Sequence, residues 1–175
     1  MIELVHTAAA APEALAAAYR LLEEVFEGDL TADDWEHALG GLHAFVWESG
    51  DLVAHGSVVQ RRLIHNGRAL RCGYVEGVGV RADARRRGHG TAVMAALEQA
   101  IRAAYDLGAL GTSDEGEPLY RSRGWQRWTG PLSALTPDGI RPTPEEQGAV
   151  YVLPGVIPLD ITAELTCDWR TGDLW

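Results

Sequence analysis

An α+β fold with a mixed, mostly antiparallel sheet is what this chain of 175 residues predicts. Three observations carry that reading. Runs rich in β-branched and apolar residues flank Asn66-Gly67, a pair suited to the positive φ that a type I′ hairpin turn needs at both central positions. Two segments, one opening at Pro12 and one at Thr91, repeat apolar residues at helical spacing. A strand, Gly73 to Arg81, passes through Arg85-Arg86-Arg87-Gly88-His89-Gly90 into the second of those helices, giving one parallel crossover in an otherwise hairpin-linked order.

Taken in order, Ile2 to Thr7 reads as a first strand. Pro12 opens a helix whose Leu15, Ala18, Tyr19, Leu22 and Val25 share a face, and which stops near Gly28. Thr31 followed by Asp33 and Asp34 is an N-cap with an acidic first turn, so Thr31 to Leu39 forms a short second helix ending at Gly40-Gly41. Leu42 to Glu48 is a strand, Ser49-Gly50-Asp51 a turn, and Leu52 to Leu63 the returning strand. Beyond Asn66-Gly67 the strand Ala69 to Arg81 leads into the glycine loop and the helix Thr91 to Tyr105. Gly108 to Gly111 is a short strand, Glu115 to Arg123 a short helix closed by Gly124, and Trp125 to Trp128 another strand. Thr129 to Gly148 carries four prolines and reads as a long surface excursion. Strands at Tyr151 to Leu153 and Ala163 to Asp168 precede the tail. No repeat or boundary interrupts the chain, so residues 1–175 are expected to form a single domain.

Composition narrows the function classes. The net charge is −10, and Arg85 to Arg87 form the one dense basic cluster, which argues against a nucleic-acid partner. No apolar run reaches membrane-spanning length and the first residues lack a signal-like basic region, so a cytoplasmic protein without membrane contact is expected. Cys72 and Cys167 sit in apolar, strand-like settings and read as buried thiols. The six histidines show no ligand-pair spacing, so no metal is expected. Acidic residues gather between Glu23 and Glu36 and again between Asp160 and Asp173; carboxylates lining one cleft attract a polycation, whereas a dispersed acidic surface only aids solubility.

A strand feeding a glycine loop feeding a helix builds an anion cradle. The first N–H groups of a helix lack intrahelical partners and carry the positive end of its dipole, and glycine lets the backbone approach. Three arginines add mobile positive charge suited to several phosphates. No lysine follows the glycines as a Walker loop requires. A dinucleotide fingerprint from Gly77 would need a third glycine at Ala82.

Upstream of the cradle, Leu70, Cys72, Tyr74, Glu76, Val78 and Val80 share a face of a regular strand, placing one carboxylate in a mostly apolar row. A carboxylate in such a row takes up a proton more readily than one in water, as a general base must. The same residue at a strand end, or turned outward by a bulge at Gly77 or Gly79, is merely solvated. If those glycines free the Val78 N–H from the ladder, it is placed to hold a carbonyl and its developing oxyanion. Tyr120, on its short helix, is either a packing residue or a proton donor.

The loop Arg85-x-x-Gly88-x-Gly90 resembles the acetyl-coenzyme A pyrophosphate loop of the GCN5-related N-acetyltransferases. Further segments extend the likeness: Gly28-Asp29 with Thr31 to Gly41, Gln60 to Ile64, Leu70 to Val78, Leu119 to Trp125, and Ala163 to Trp175. Together they are similar to the aminoglycoside 2'-N-acetyltransferases over nearly the whole chain. The resemblance implies the GNAT fold, with helices flanking a mostly antiparallel sheet that contains a splayed parallel strand pair. It also implies acetyl transfer from acetyl-CoA to an aminoglycoside 2'-amine by direct attack. Glu76 would be the general base, through water, and would also contact the drug, and Tyr120 would be the general acid toward the thiolate. Val78 and Val80 would bind the acetyl and pantetheine portions through their backbones, and Arg85, Arg86, Arg87, Gly88, His89, Gly90 and Thr91 the pyrophosphate. Asp29, Asp34, Glu146, Asp173 and the Trp175 carboxylate would bind the drug's ammonium groups. Two positions depart from the family: Gly111 replaces a small hydroxyl residue, and Glu146 an aspartate. The alternatives are acetylation of a cellular amine or cell-wall amino sugar, and a non-catalytic coenzyme- or drug-binding module; an exposed strand edge points to a homodimer.

Overall fold

The computed structural model describes residues 1–175. Two compact units emerge: Met1–Val59 with Val75–Ala100, and Gln60–Tyr74 with Ile101–Trp175.

The first unit contains β1 (Ile2–His6), α1 (Pro12–Val25), α2 (Ala32–His37), β2 (Leu42–Glu48) and the opening part of β3 (Asp51–His65). It also holds the end of β4 (Arg68–Val80) and most of α3 (His89–Ala104). Pro12 takes the first helical position, where its missing N–H costs nothing, and α1 buries Ala18, Leu21 and Leu22 at i, i+3 and i+4. Ala18 and Leu21 pack with Phe45 and Leu52, flanked by Trp35 and Trp47. Thr31 caps α2 as expected, in a reciprocal box with Asp34. β1, β2 and β3 pair antiparallel in that order, and the register of β2 against β3 shifts between Val46 and Trp47. Asn66 and Gly67 have φ of 48° and 71°, which places both in the left-handed region that the hairpin at the end of β3 requires.

β4 departs from regular alternation. A Cβ at Gly73 would meet Ile101 of α3 and Tyr105 just after it, while the Val78 side chain lies against Gly56 beside Val93 and Leu97 of the same helix. Residues five apart lie on opposite faces of a regular strand, so one residue has been inserted between them. Gly77, with φ of 55°, is where the pleat breaks. The row containing Tyr74 therefore does not continue through Val78 and Val80, and the single-face reading of these residues is corrected. Gly77→Ala is expected to destabilise the fold by about 1–2 kcal/mol from the left-handed backbone alone. The new Cβ would also stand 3.0 Å from Leu22 Cδ1. Urea unfolding of the variant measures the loss.

The second unit adds β5 (Leu107–Gly111), α4 (Glu117–Ser122), β6 (Gln126–Arg127), β7 (Leu132–Thr136), β8 (Gly139–Pro142), β9 (Val150–Pro154) and β10 (Leu165–Cys167). Its strands pair in the orders β6-β9-β5-β4 and β3-β10-β7-β8. β4 and β5 run parallel over Cys72 to Tyr74 only, and then the ladder ends although both strands continue. A second parallel pair joins β10 to β7. This corrects the reading of residues 129–148 as a surface excursion: Leu132 and Ala134 are buried, β7 and β8 form a hairpin, and the prolines fall outside β7 or at the end of β8. Cys72 and Cys167 are buried free thiols, and burial pushes Cys167 up to about 11.

Candidate active site

The glycine loop begins where β4 ends. Its residues Ala82–Ala84 form a 3-10 turn, Arg86 has φ of 60° and Gly88 of 86°, and α3 starts at His89, two residues earlier than the apolar spacing indicated. The N–H groups of His89, Gly90 and Thr91 stand ahead of the helical bond from Ala92 N–H to Gly88 C=O at 2.9 Å. A Cβ added to Gly88 would meet nothing within 4 Å, so the backbone there is open to an approaching anion. The arginines are less mobile than expected. Arg85 Nε donates to the Val80 carbonyl at 3.3 Å, and Arg87 pairs with Glu48 at 2.8 Å. Glu48 Oε1 also lies 3.2 Å from His89 Nε2, without the alignment of a hydrogen bond.

Glu76 is half-buried, immediately before the break at Gly77. Side chains of β3 reach the carbonyls on either side of that peptide. His55 Nδ1 lies 2.9 Å from Gly77 O, and Ser57 Oγ donates to Glu76 O at 3.4 Å. Asp29 is exposed at the turn after α1. Asp34 Oδ2 accepts from the N–H and the hydroxyl of Thr31, both at 2.8 Å, so this carboxylate serves the α2 cap in addition to any ligand.

In the second unit Tyr120 is 7% exposed, edge-on to Trp125, and burial pushes its phenol up to about 12. At neutral pH it is therefore a hydrogen-bond donor. The C-terminal tail brings three of the predicted substrate residues to one place. Burial, then the charges of Asp173 and Glu145, raise Glu146 above the usual carboxylate range, while Arg170 acts in the opposite direction. Arg170 Nε donates to Asp173 O at 2.6 Å and its Nη2 to Trp175 O at 3.1 Å. The Trp175 indole is buried and donates to Thr143 Oγ1 at 2.9 Å, which fixes where the terminal carboxylate lies. A Cβ on Gly111 would come within 3.6 Å of that carboxylate, an ordinary contact that leaves room for a small side chain.

Beneath this cluster Arg61 is buried against the Tyr74 ring, 4.6 Å from its centroid, and pairs with Asp168 at 2.8 Å; Arg170 lies 5.4 Å from the same ring. Sequence reasoning missed Arg61, Tyr74, Thr143 and Arg170. Arg61, Tyr74 and Arg170 lie within the resembling segments, which is the one signal that could have found them; Thr143 lies outside. A groove of about 710 Å³ in the first unit, lined by Val5, Ala14, Leu21, Phe45 and Trp47 among others, contains none of the predicted site residues. No group of three or more His, Cys, Asp or Glu side chains is arranged to hold a metal, and no helix is long and apolar enough to cross a membrane.

A parallel pair that parts after three residues, a bulged strand beside it and a glycine loop opening into a helix define an acetyltransferase of the GNAT type. The GNAT acetyltransferase domain family matches residues 7–128. An aminoglycoside 2'-N-acetyltransferase from Mycolicibacterium fortuitum is 54% identical over 176 aligned positions, covering 98% of this chain and 90% of that protein. The chain belongs to the aminoglycoside 2'-N-acetyltransferase family. Among solved structures, Eis1 of Mycobacterium abscessus superposes with a TM-score of 0.63 at 18% identity, over 76% of this chain and 33% of that one. ElaA of Escherichia coli gives 0.59 at 19% identity, over 87% and 98%. The chain thus spans a third of the length of Eis1, and at such identities both likenesses bear on the fold alone.

Proposed function

We propose that this enzyme, with residues 1–175 acting as a single acetyltransferase domain, transfers acetyl from acetyl-CoA to the 2'-amine of an aminoglycoside by direct attack. The observation that carries the reading is the carboxylate cluster of Glu146, Asp173 and the Trp175 terminus, where burial and the neighbouring carboxylates hold Glu146 above its ordinary value although Arg170 opposes them. A polycationic aminoglycoside supplies further positive charge to that cluster, and the protein's net charge of −10 steers it in. Asp29 and Asp34 would contact further ammonium groups.

Acetyl-CoA would supply the activated thioester. Its pyrophosphate would lie on the N–H groups of Gly88 to Thr91 with Arg85 and Arg86 beside it, and Arg87 would divide its charge between the anion and Glu48. The Val78 N–H would hold the thioester carbonyl and the Val80 backbone the pantetheine. Glu76, through water, would take a proton from the substrate ammonium so that the free amine attacks the thioester carbonyl, and Tyr120, a phenol at neutral pH, would donate to the departing sulfur. We further propose that two chains associate through the edge of β1, which pairs only with β2 and exposes Ile2 and Leu4.

Thiol release should require a drug with a free 2'-amine; equal turnover of an analogue bearing a 2'-hydroxyl overturns the regiochemistry. Glu146→Gln should raise KM for the drug while leaving KM for acetyl-CoA unchanged. The sign of its stability effect is fixed by the raised folded-state value of Glu146: the native state favours the protonated form, so stability is lost as pH rises through that value. The glutamine variant should therefore melt at the same temperature as the parent or higher at neutral pH. A lower drug KM would remove Glu146 from the site.

A further inference from the structure

Two histidines form a buried relay that ends at the bulge. Gly40 N–H donates to Thr7 Oγ1 at 2.9 Å, Thr7 Oγ1 lies 2.8 Å from His43 Nε2, His43 Nδ1 lies 2.9 Å from His55 Nε2, and His55 Nδ1 lies 2.9 Å from Gly77 O. A carbonyl oxygen only accepts, so His55 carries its proton on Nδ1. With both rings neutral, His55 Nε2 must then accept from His43 Nδ1–H, and His43 Nε2 from the Thr7 hydroxyl. The Thr7 hydroxyl also lies 3.2 Å from Gly41 O; with its proton on the shorter bond to His43, every donor in the chain points toward Gly77, an arrangement in which each bond polarises the next. Both rings are 0% exposed, and His55 is enclosed by Trp35 and Phe45.

We infer that His55, oriented by His43, is a positioning residue for acetyl transfer: by holding the Gly77 carbonyl it locks the inserted residue of β4 and so fixes where Glu76 and the Val78 N–H stand. The inference rests on the proposed roles of those two groups. A left-handed glycine interrupts the regular ladder locally, and a hydrogen bond from a fully buried ring supplies restraint at that point. The relay serves geometry, since it ends on a backbone carbonyl, and it moves no proton to substrate.

Two amide substitutions separate this role from packing. In His55→Asn the side-chain N–H₂ reaches the place of Nδ1 and keeps the bond to Gly77. In His55→Gln the side-chain oxygen reaches the place of Nε2, accepting from His43 Nδ1–H and losing the bond to Gly77. The asparagine variant should retain most of kcat, whereas the glutamine variant should lose about 10–10²-fold, the cost of a misplaced catalytic group, with KM for both substrates little changed. Backbone amide resonances of Glu76, Gly77 and Val78 should move in the glutamine variant and remain near parent positions in the asparagine variant. Equal kcat and equal amide shifts in the two variants would overturn the inference, as would a glutamine variant with parental kcat. Glu76→Gln run alongside keeps the two readings apart. If that variant is fully active, the base assignment falls, while the amide shifts still decide whether His55 locks the bulge.

Discussion

Glu76→Gln lowers kcat by roughly 10²–10⁴-fold, the range for loss of a general acid–base group, with KM for drug and coenzyme nearly unchanged. Glutamine keeps the volume and the acceptor oxygen of the side chain but cannot take up the proton that the substrate ammonium must lose to become a nucleophilic amine. Because Glu76 is half-buried and follows a stretch of β4 buried from Cys72 to Val75, an isosteric change there leaves the fold intact, and matched thermal midpoints establish that the loss is chemical. Steady-state kinetics of thiol release read the effect. An unchanged kcat removes Glu76 from the mechanism, and a raised drug KM with constant kcat leaves it as a binding residue only.

The second large effect is an acid limb in stability. Burial is the main cause that lowers His43 to about 4 and His55 to about 3 from the ordinary 6.5; nearby His6 adds to the first, His43 adds to the second, and the Gly77 carbonyl partly opposes the fall at His55. Both folded-state values are depressed, so the native state keeps the rings neutral. The unfolded chain starts to bind protons as pH falls below 6.5. Stability is thus full above 6.5 and is lost downward toward about 4, at up to about 1.4 kcal/mol per pH unit for each ring. Urea melts across this interval should show a slope approaching two protons, and His55→Asn, which removes one imidazole, should make it shallower. A slope that is the same in parent and variant would show that His55 does not cause the acid limb.

The local elements follow from residue type and spacing alone. Pro12 and Thr31 fix helix starts because one tolerates a missing N–H and the other supplies an oxygen to orphan ones; Asn66-Gly67 fixes a turn because few other pairs accept positive φ twice. The sequence also exposed the glycine loop and, through whole-chain resemblance, the family. The strand β7 escaped because prolines on either side of it outweighed a short apolar run, and its parallel partner β10 lies more than twenty residues away, beyond any local pattern.

The histidine relay depended on tertiary structure for a different reason. Extended from the turn pairs Glu48↔Asp51 and Trp47↔Leu52, the β2–β3 register would put His43 opposite Gly56, leaving His55 on the other face. The shift after Val46 pairs His43 with Ser57 and Phe45 with His55 instead, and a one-residue slip turns His55 to the face of His43. The insertion in β4 acts in the same way, separating Val78 and Val80 from the row of Tyr74. Side-chain type and spacing name the chemistry a chain can perform. Which face each side chain takes is set by single-residue slips in strand pairing, and those are decided by packing between segments far apart in sequence.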